Sequence, residues 1–238
     1  MKLKSVYALA FMLTAALLLH MDAKAQTGSF TKIEPKSVPV VDGKVELSPK
    51  TAMIEFVGIH VGNDPKPRVG GFKAFKGVAE LADDNSSIKS MKLEIDISSL
   101  WTEFDKLTGH LKNADFFEAA KFGKSSFTST AVEKGEKGMF KVTGDLMLHG
   151  QKKEVMIPVM LKASGDGVMM KSEFKLDRTL FGMDKMTSGV EKEVSLLMVV
   201  GQKTSPRKAM GGPGGSAKSK KKGKNKAMTV SISAPNMT

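Results

Sequence analysis

Met91-Lys-Leu-Glu-Ile-Asp-Ile97 changes sides at every residue. Met91, Leu93, Ile95 and Ile97 are apolar, while Lys92, Glu94 and Asp96 are charged. A two-residue period belongs to an extended chain with one face on a core and the other in water. The pattern recurs toward the C-terminus. Phe140, Val142, Leu146 and Leu148 form one row, with Gly144 in it. Val155, Ile157, Val159 and Leu161 form another, in which Pro158 marks an edge or a bulge. Gly165-Asp-Gly167 reads as a hairpin turn, after which Val168, Met170, Phe174 and Leu176 continue inward. Val194, Leu196, Met198 and Val200 make the last row, and earlier strands are expected near 44–47, 51–59, 69–81 and 124–133. Eight or nine strands joined by short turns point to a sandwich or a closed barrel.

One interval breaks the rule. Over residues 103–117, Phe104, Leu107, Leu111 and Ala114 fall at helical spacing, with Thr102 as the expected N-cap and Ser99 as the alternative. A meander of strands with one inserted helix fits an antiparallel barrel carrying a lid or plug. An eight-stranded barrel has just enough interior for one small ligand.

The ends of the chain differ from its middle. Lys2 and Lys4 precede an apolar run over 6–19, and Ala23-Lys-Ala25 offers a small-residue cleavage site, so residues 1–25 read as a signal peptide and Gln26 as the mature start. That run is too short for the hydrocarbon layer of a bilayer. The expected location is therefore periplasmic or secreted. Residues 26–43 read as a lead-in, 44–201 as the folded domain and 202–238 as a tail. The formal net charge of +12 is concentrated in that tail, which holds nine Lys and Arg and no acid. Its Gly, Ser, Lys and Pro content does not supply a core. Such a tail suits a solvated appendage or contact with an anionic envelope surface. It lacks the interleaved aromatics of a nucleic-acid binder.

Little in the sequence signals catalysis. There are no cysteines, which removes disulfides, thiolate nucleophiles and Cys metal sites. His60, His110 and His149 are widely separated, without the spacing of a metal site, and His149-Gly150 reads as a turn. Glu103 and Asp105 are two apart on the expected helix and do not face each other. Asp83-Asp-Asn-Ser86 is an ordinary turn sequence. No nucleophile elbow, P-loop or dinucleotide fingerprint occurs.

The apolar inventory is more telling. The chain has 13 Phe and 17 Met against one Trp and one Tyr. Phe56, Phe72, Phe75, Phe116, Phe117, Phe174 and Phe181 could line a greasy interior, with Met147, Met169, Met170 and Met183 adapting to a floppy chain. The alternative is an ordinary packed core.

Thr108-Gly-His-Leu-Lys-Asn-Ala-Asp-Phe-Phe-Glu118, then Ser125-Ser-Phe-Thr-Ser129, then Val142-Thr-Gly-Asp-Leu-Met-Leu-His-Gly-Gln-Lys-Lys-Glu-Val155 resemble, in that order, the YceI-like family of bacterial envelope proteins. Gly70-Gly-Phe-Lys-Ala-Phe-Lys-Gly77 resembles its glycine-flanked Phe-x-x-Phe strand, and Leu176-Asp-Arg-Thr-Leu-Phe-Gly-Met183 its Arg-x-x-Phe/Tyr-Gly turn. Leu107 and Thr108 stand where that family's helix usually carries Arg-Asp. The resemblance implies an antiparallel, eight-stranded, lipocalin-like β-barrel with one inserted helix. It also implies a non-catalytic carrier or store for a long isoprenoid or quinone-like lipid, with no cofactor beyond that ligand. The expected ligand contacts are Phe56, Phe72, Phe75, Leu107, His110, Leu111, Phe116, Phe117, Phe174 and Phe181. The helix is expected to gate access, with one of Phe116 and Phe117 facing the interior and Lys112 and Asn113 near a headgroup. An envelope scaffold with a filled barrel and a hydrolase are the other readings; the oligomeric state is open, a dimer included.

Overall fold

A computed structural model describes residue 30 and residues 33–62, 65–165 and 167–206. The alternating rows fold as strands: β1 (Val38–Pro39), β2 (Lys44–Leu47), β3 (Ala52–His60), β4 (Lys66–Phe72), β5 (Phe75–Leu81), β6 (Ile88–Asp96), β7 (Leu100–Thr102), β8 (Lys124–Lys134), β9 (Met139–Leu148), β10 (Gln151–Ser164), β11 (Gly167–Asp177) and β12 (Glu193–Val200). They hydrogen-bond into one curled antiparallel sheet in the order β2-β5-β6-β8-β9-β10-β11-β12-β3-β4-β7, with β1 beside β11. The fold is all-β with one helix, α1 (Asp105–Lys112).

Three stretches of chain supply both ends of that order. β2 and β3 share one stretch bent at 48–51, β4 and β5 another bent at 73–74, and β6 and β7 a third bent at 97–99. The bend at 73–74 divides the single strand expected over 69–81. Ser99 Oγ accepts a bond from the Ala74 amide (2.9 Å) and donates to the Asp96 carbonyl (2.6 Å). Ser99 thus staples two bends together instead of capping a helix.

The helix is shorter than the periodicity of 103–117 predicts. Thr102 belongs to β7, and its hydroxyl donates to the Phe104 carbonyl (2.8 Å). Phe104 occupies the N-cap without a side-chain bond. At the other end Asn113 is extended (φ −79°, ψ 175°), and tight turns carry the chain through Phe117, whose amide reaches back to the Leu111 carbonyl (3.0 Å).

His149 and Gly150 form a two-residue hairpin loop with φ of 50° and 73°. Both central residues of the favoured tight hairpin turn need positive φ. Pro158 lies where β10 has only β9 beside it, because the pairing to β11 begins at Met160↔Lys171. The strand is locally an edge there, so no ladder bond to β11 is lost.

Alternation fails in Ala52-Met-Ile-Glu-Phe-Val57, where every residue is buried. The lead-in explains this. Phe30 and Ile33 pack on the outer face against Met53, Leu197 and Val199, and Phe30 also against Val57 and Trp101. The Lys36 amide donates to the Gly201 carbonyl (2.8 Å), which fixes the segment across the sheet. The expected signal peptide and the tail beyond 206 lie outside the described residues.

Candidate functional site

The inward faces of β3, β11 and β12 form one wall in level rows. Phe56 is in register with Leu196, and Leu196 with Phe174. One step deeper, Ile54 is in register with Met198, and Met198 with Ser172. The opposite wall carries Met91, Leu93 and Ile95 of β6, the same alternation that defines the strand. Between the walls lies a cavity of about 370 Å³ with an almost wholly apolar lining. That is within the range of small-molecule pockets. Beneath it the interior is solid: Met170, Val200, Val159 and Phe140 are buried to 2% exposure or less.

The roof is aromatic. Phe56 and Phe72 lie 5.9 Å apart, and Phe117 reaches both, at 6.3 and 6.2 Å, meeting Phe72 edge to face. A Cβ at Gly70 would strike the Phe56 ring and sit 2.7 Å from the Trp101 carbonyl oxygen. Glycine at that position lets the ring lie across β4. Leu107 and Leu111 close the roof from α1.

The mouth is polar. His60, Arg68, His110 and Arg178 line it. Arg178 is 4% exposed. Its Nε donates to the Glu191 carbonyl (3.1 Å), Nη2 to Val190 (3.0 Å), and Nη1 to both Lys185 (3.0 Å) and Met183. One guanidinium thus folds the 183–191 loop around itself, and the Phe116 ring lies 5.7 Å from its carbon. Burial pushes the Arg178 pKa down from its ordinary value. The side chain still stays charged, because arginine starts so high. Lys185 Nζ donates to the Ala114 carbonyl (3.0 Å), joining this loop to the turns after α1. At the start of the loop Asp177 accepts bonds from the Thr179 hydroxyl and amide, which hold its carboxyl below the usual range.

Eight of the ten residues expected from the sequence line this cavity: Phe56, Phe72, Leu107, His110, Leu111, Phe116, Phe117 and Phe174. Phe75 does not; it is packed in the core. Phe181 does not either, being buried with Leu148 and Met183 beside the β9–β10 hairpin. Of the methionines, Met183 lines the cavity, Met170 packs beneath it, and Met147 is exposed at 38%. Both Phe116 and Phe117 face the cavity, Phe117 toward the aromatic roof and Phe116 toward Arg178. Lys112 and Asn113 are not in the lining, and the polar groups at the mouth are those above. Sequence reasoning missed Ser172 and did not rank Arg178, although the latter sits in a quoted motif. Leu196 and Met198 were expected in an apolar strand row but not in the lining, and Ile54 was not expected in the lining either; their alignment across three strands appears only in the register.

The histidines stay apart. His110 Nε2 lies 3.4 Å from Asp115 Oδ2. His149 Nδ1 is 3.0 Å from the Phe181 carbonyl oxygen, and its ring is 4.4 Å from Phe122. Among the described residues no three His, Cys, Asp or Glu side chains gather as a metal site would require.

A family model described as YceI-like domain matches residues 45–201. The Protein YceI of Escherichia coli O6:H1 is 31% identical over 130 residues, 55% of this chain and 66% of that protein. The chain therefore spans just under two thirds of the length of that curated relative. Among solved structures, Burkholderia cenocepacia BcnA superposes with a TM-score of 0.57 at 21% identity, covering 63% of this chain and 94% of the other. A Campylobacter jejuni YCEI protein gives 0.50 at 24% identity, covering 55% and 81%. These two likenesses are of fold.

Proposed function

From the premise that the chain belongs to the YceI-like family, we propose that it is an exported, non-catalytic carrier or store for a long apolar lipid of isoprenoid or quinone-like type. The observation that carries this reading is the apolar cavity roofed by Phe56, Phe72 and Phe117. Its walls offer dispersion contacts and few polar partners, which suits a hydrocarbon chain. The rim residues His60, Arg68 and His110 suit a charged group left outside. The leader-like residues 1–25 support export to the periplasm or beyond. The basic residues after Gln202 support contact with an anionic envelope surface.

The same reading takes the curled sheet as a closed, lipocalin-like barrel of eight strands. The three bent stretches 44–60, 66–81 and 88–102 each count once. The first pairs with the second at both its halves, and the second with the third. The third then meets β8, and β12 returns to the first. That circuit leaves only the short strands β2 and β7 with one neighbour each, which keeps the exposed edges short.

Purified full-length chain, analysed by native mass spectrometry and by solvent extraction, is expected to carry a neutral lipid or to take up polyprenyl or quinone probes. Protein that yields no lipid and binds none of these probes sinks the proposal.

A further inference from the structure

Ser172 interrupts an otherwise apolar row. Along the inner face of β11 its neighbours are Val168, Met170, Phe174 and Leu176. The side chain is 1% exposed, and its hydroxyl has no hydrogen-bond partner. It lines the cavity, level with Met198 and Ile54. The row beneath, Met170 with Val200 and Ala52, is closed, so Ser172 stands at the cavity floor. Buried hydroxyls are nearly always bonded, and one that is not calls for a missing partner.

We infer that this partner is a single neutral oxygen, a hydroxyl or a carbonyl, carried on the buried portion of the bound lipid. The inference rests on the lipid-carrier reading above and narrows its ligand class. A lone water fits poorly, because a buried water needs two to four polar partners. Ser125, the other inward serine, already donates to the Met147 carbonyl (2.8 Å). Ser126 also borders the cavity, but on the opposite strand phase from Ser125 and Phe127. A charged end fits worse. Arg178 is held at the mouth by four carbonyls, and no charged side chain reaches the floor. A carboxylate or phosphate inserted there would be buried without a counter-charge. Charged groups therefore belong at the rim with His60 and Arg68, and the floor selects a neutral oxygen.

The test compares farnesol and geranylgeraniol with hydrocarbons of the same carbon skeleton, bound to delipidated full-length protein and to its Ser172→Ala, Ser172→Val and Ser172→Thr variants. Ser172→Ala and Ser172→Val are expected to weaken the alcohols about fivefold, the worth of one neutral hydrogen bond. They should leave the hydrocarbons bound at least as tightly as before. Ser172→Thr, which keeps the hydroxyl, should keep the alcohol affinity. Ligand-free melting temperatures of the Ala and Val variants should not fall, since no internal bond is removed. Alcohol affinity unchanged in both variants, or alcohols and hydrocarbons weakened by the same factor, overturns the inference while leaving the carrier reading intact. Failure of every probe to bind wild-type protein overturns the carrier reading, and the inference with it.

Discussion

Arg178 shows how one side chain can hold a whole loop. Its guanidinium is buried and bonded to the carbonyls of Met183, Lys185, Val190 and Glu191. Those carbonyls have no sheet to join. Arg178→Ala strips all four at once, and the expected loss is about 3 kcal/mol or more, because each buried acceptor left unpaired carries a desolvation cost. Arg178→Lys should recover only a little, since an ammonium lacks the planar fork. Urea unfolding of both variants measures this; a loss within about 0.5 kcal/mol of zero for Arg178→Ala would show that the loop holds itself. The sequence placed Arg178 in a recognisable turn motif but did not disclose the task. Its partners are backbone carbonyls spread over nine positions, and carbonyls carry no residue identity. Ser172 was hidden differently. The alternation of Val168, Met170, Phe174 and Leu176 puts position 172 on the inner face, but only the structure shows its hydroxyl buried at the cavity without a partner.

At the scale of elements, the strands were legible because most of them have one wet face. The rows at 140–148, 155–161 and 194–200 fall in strands, as does the row from 91 up to Asp96, with Ile97 opening the bend to β7. Ala52-Met-Ile-Glu-Phe-Val57 lacked the signal because Phe30 and Ile33 dry its outer face. The helix was overextended because Ala114, Phe116 and Phe117 continue an apolar rhythm after the backbone has left it. That departure bears on the gate expected at the helix. Phe117 reaches into the roof against Phe56 and Phe72, whereas Phe116 packs at the rim against His110 and Arg178. Removing Phe117 should therefore open the cavity more than it loosens the loop. Phe117→Ala is expected to raise the lipid off-rate about tenfold or more with a modest drop in melting temperature. Phe116→Ala should act mainly on stability, by about 3 kcal/mol, as a large buried ring does. Stopped-flow release of a fluorescent polyene, set beside thermal melts, separates the two. Equal effects of both variants on melting, with unchanged release, would make the roof a plug and not a gate.

At the scale of the whole molecule, the interior is divided. The lower half is filled by Phe140, Val142, Val159 and Met170, while the upper half stays open to about 370 Å³. Composition does not reveal that division, because Phe and Met serve equally in a packed core and in a lined cavity. Phe75 and Phe181 went to the core, and Phe56, Phe72 and Phe174 to the cavity, by position alone. On the carrier reading proposed above, the division sets a limit on the ligand. Each five-carbon isoprene unit taken from water gives roughly 3–4 kcal/mol gross, from about 0.8 kcal/mol per CH₂. Ordering the chain and immobilising it offset much of this gain. Affinity should therefore climb with each added unit while the cavity fills. Once the floor of Met170 and Val200 stops the chain, further units remain in solvent at the mouth and add little. Competition binding with a ladder of polyprenols is expected to show a rise and then a plateau, with a negative heat-capacity change that grows over the rising part only. Affinity that kept rising with length, without a plateau, would point to adsorption on an outer surface and remove the cavity from the mechanism.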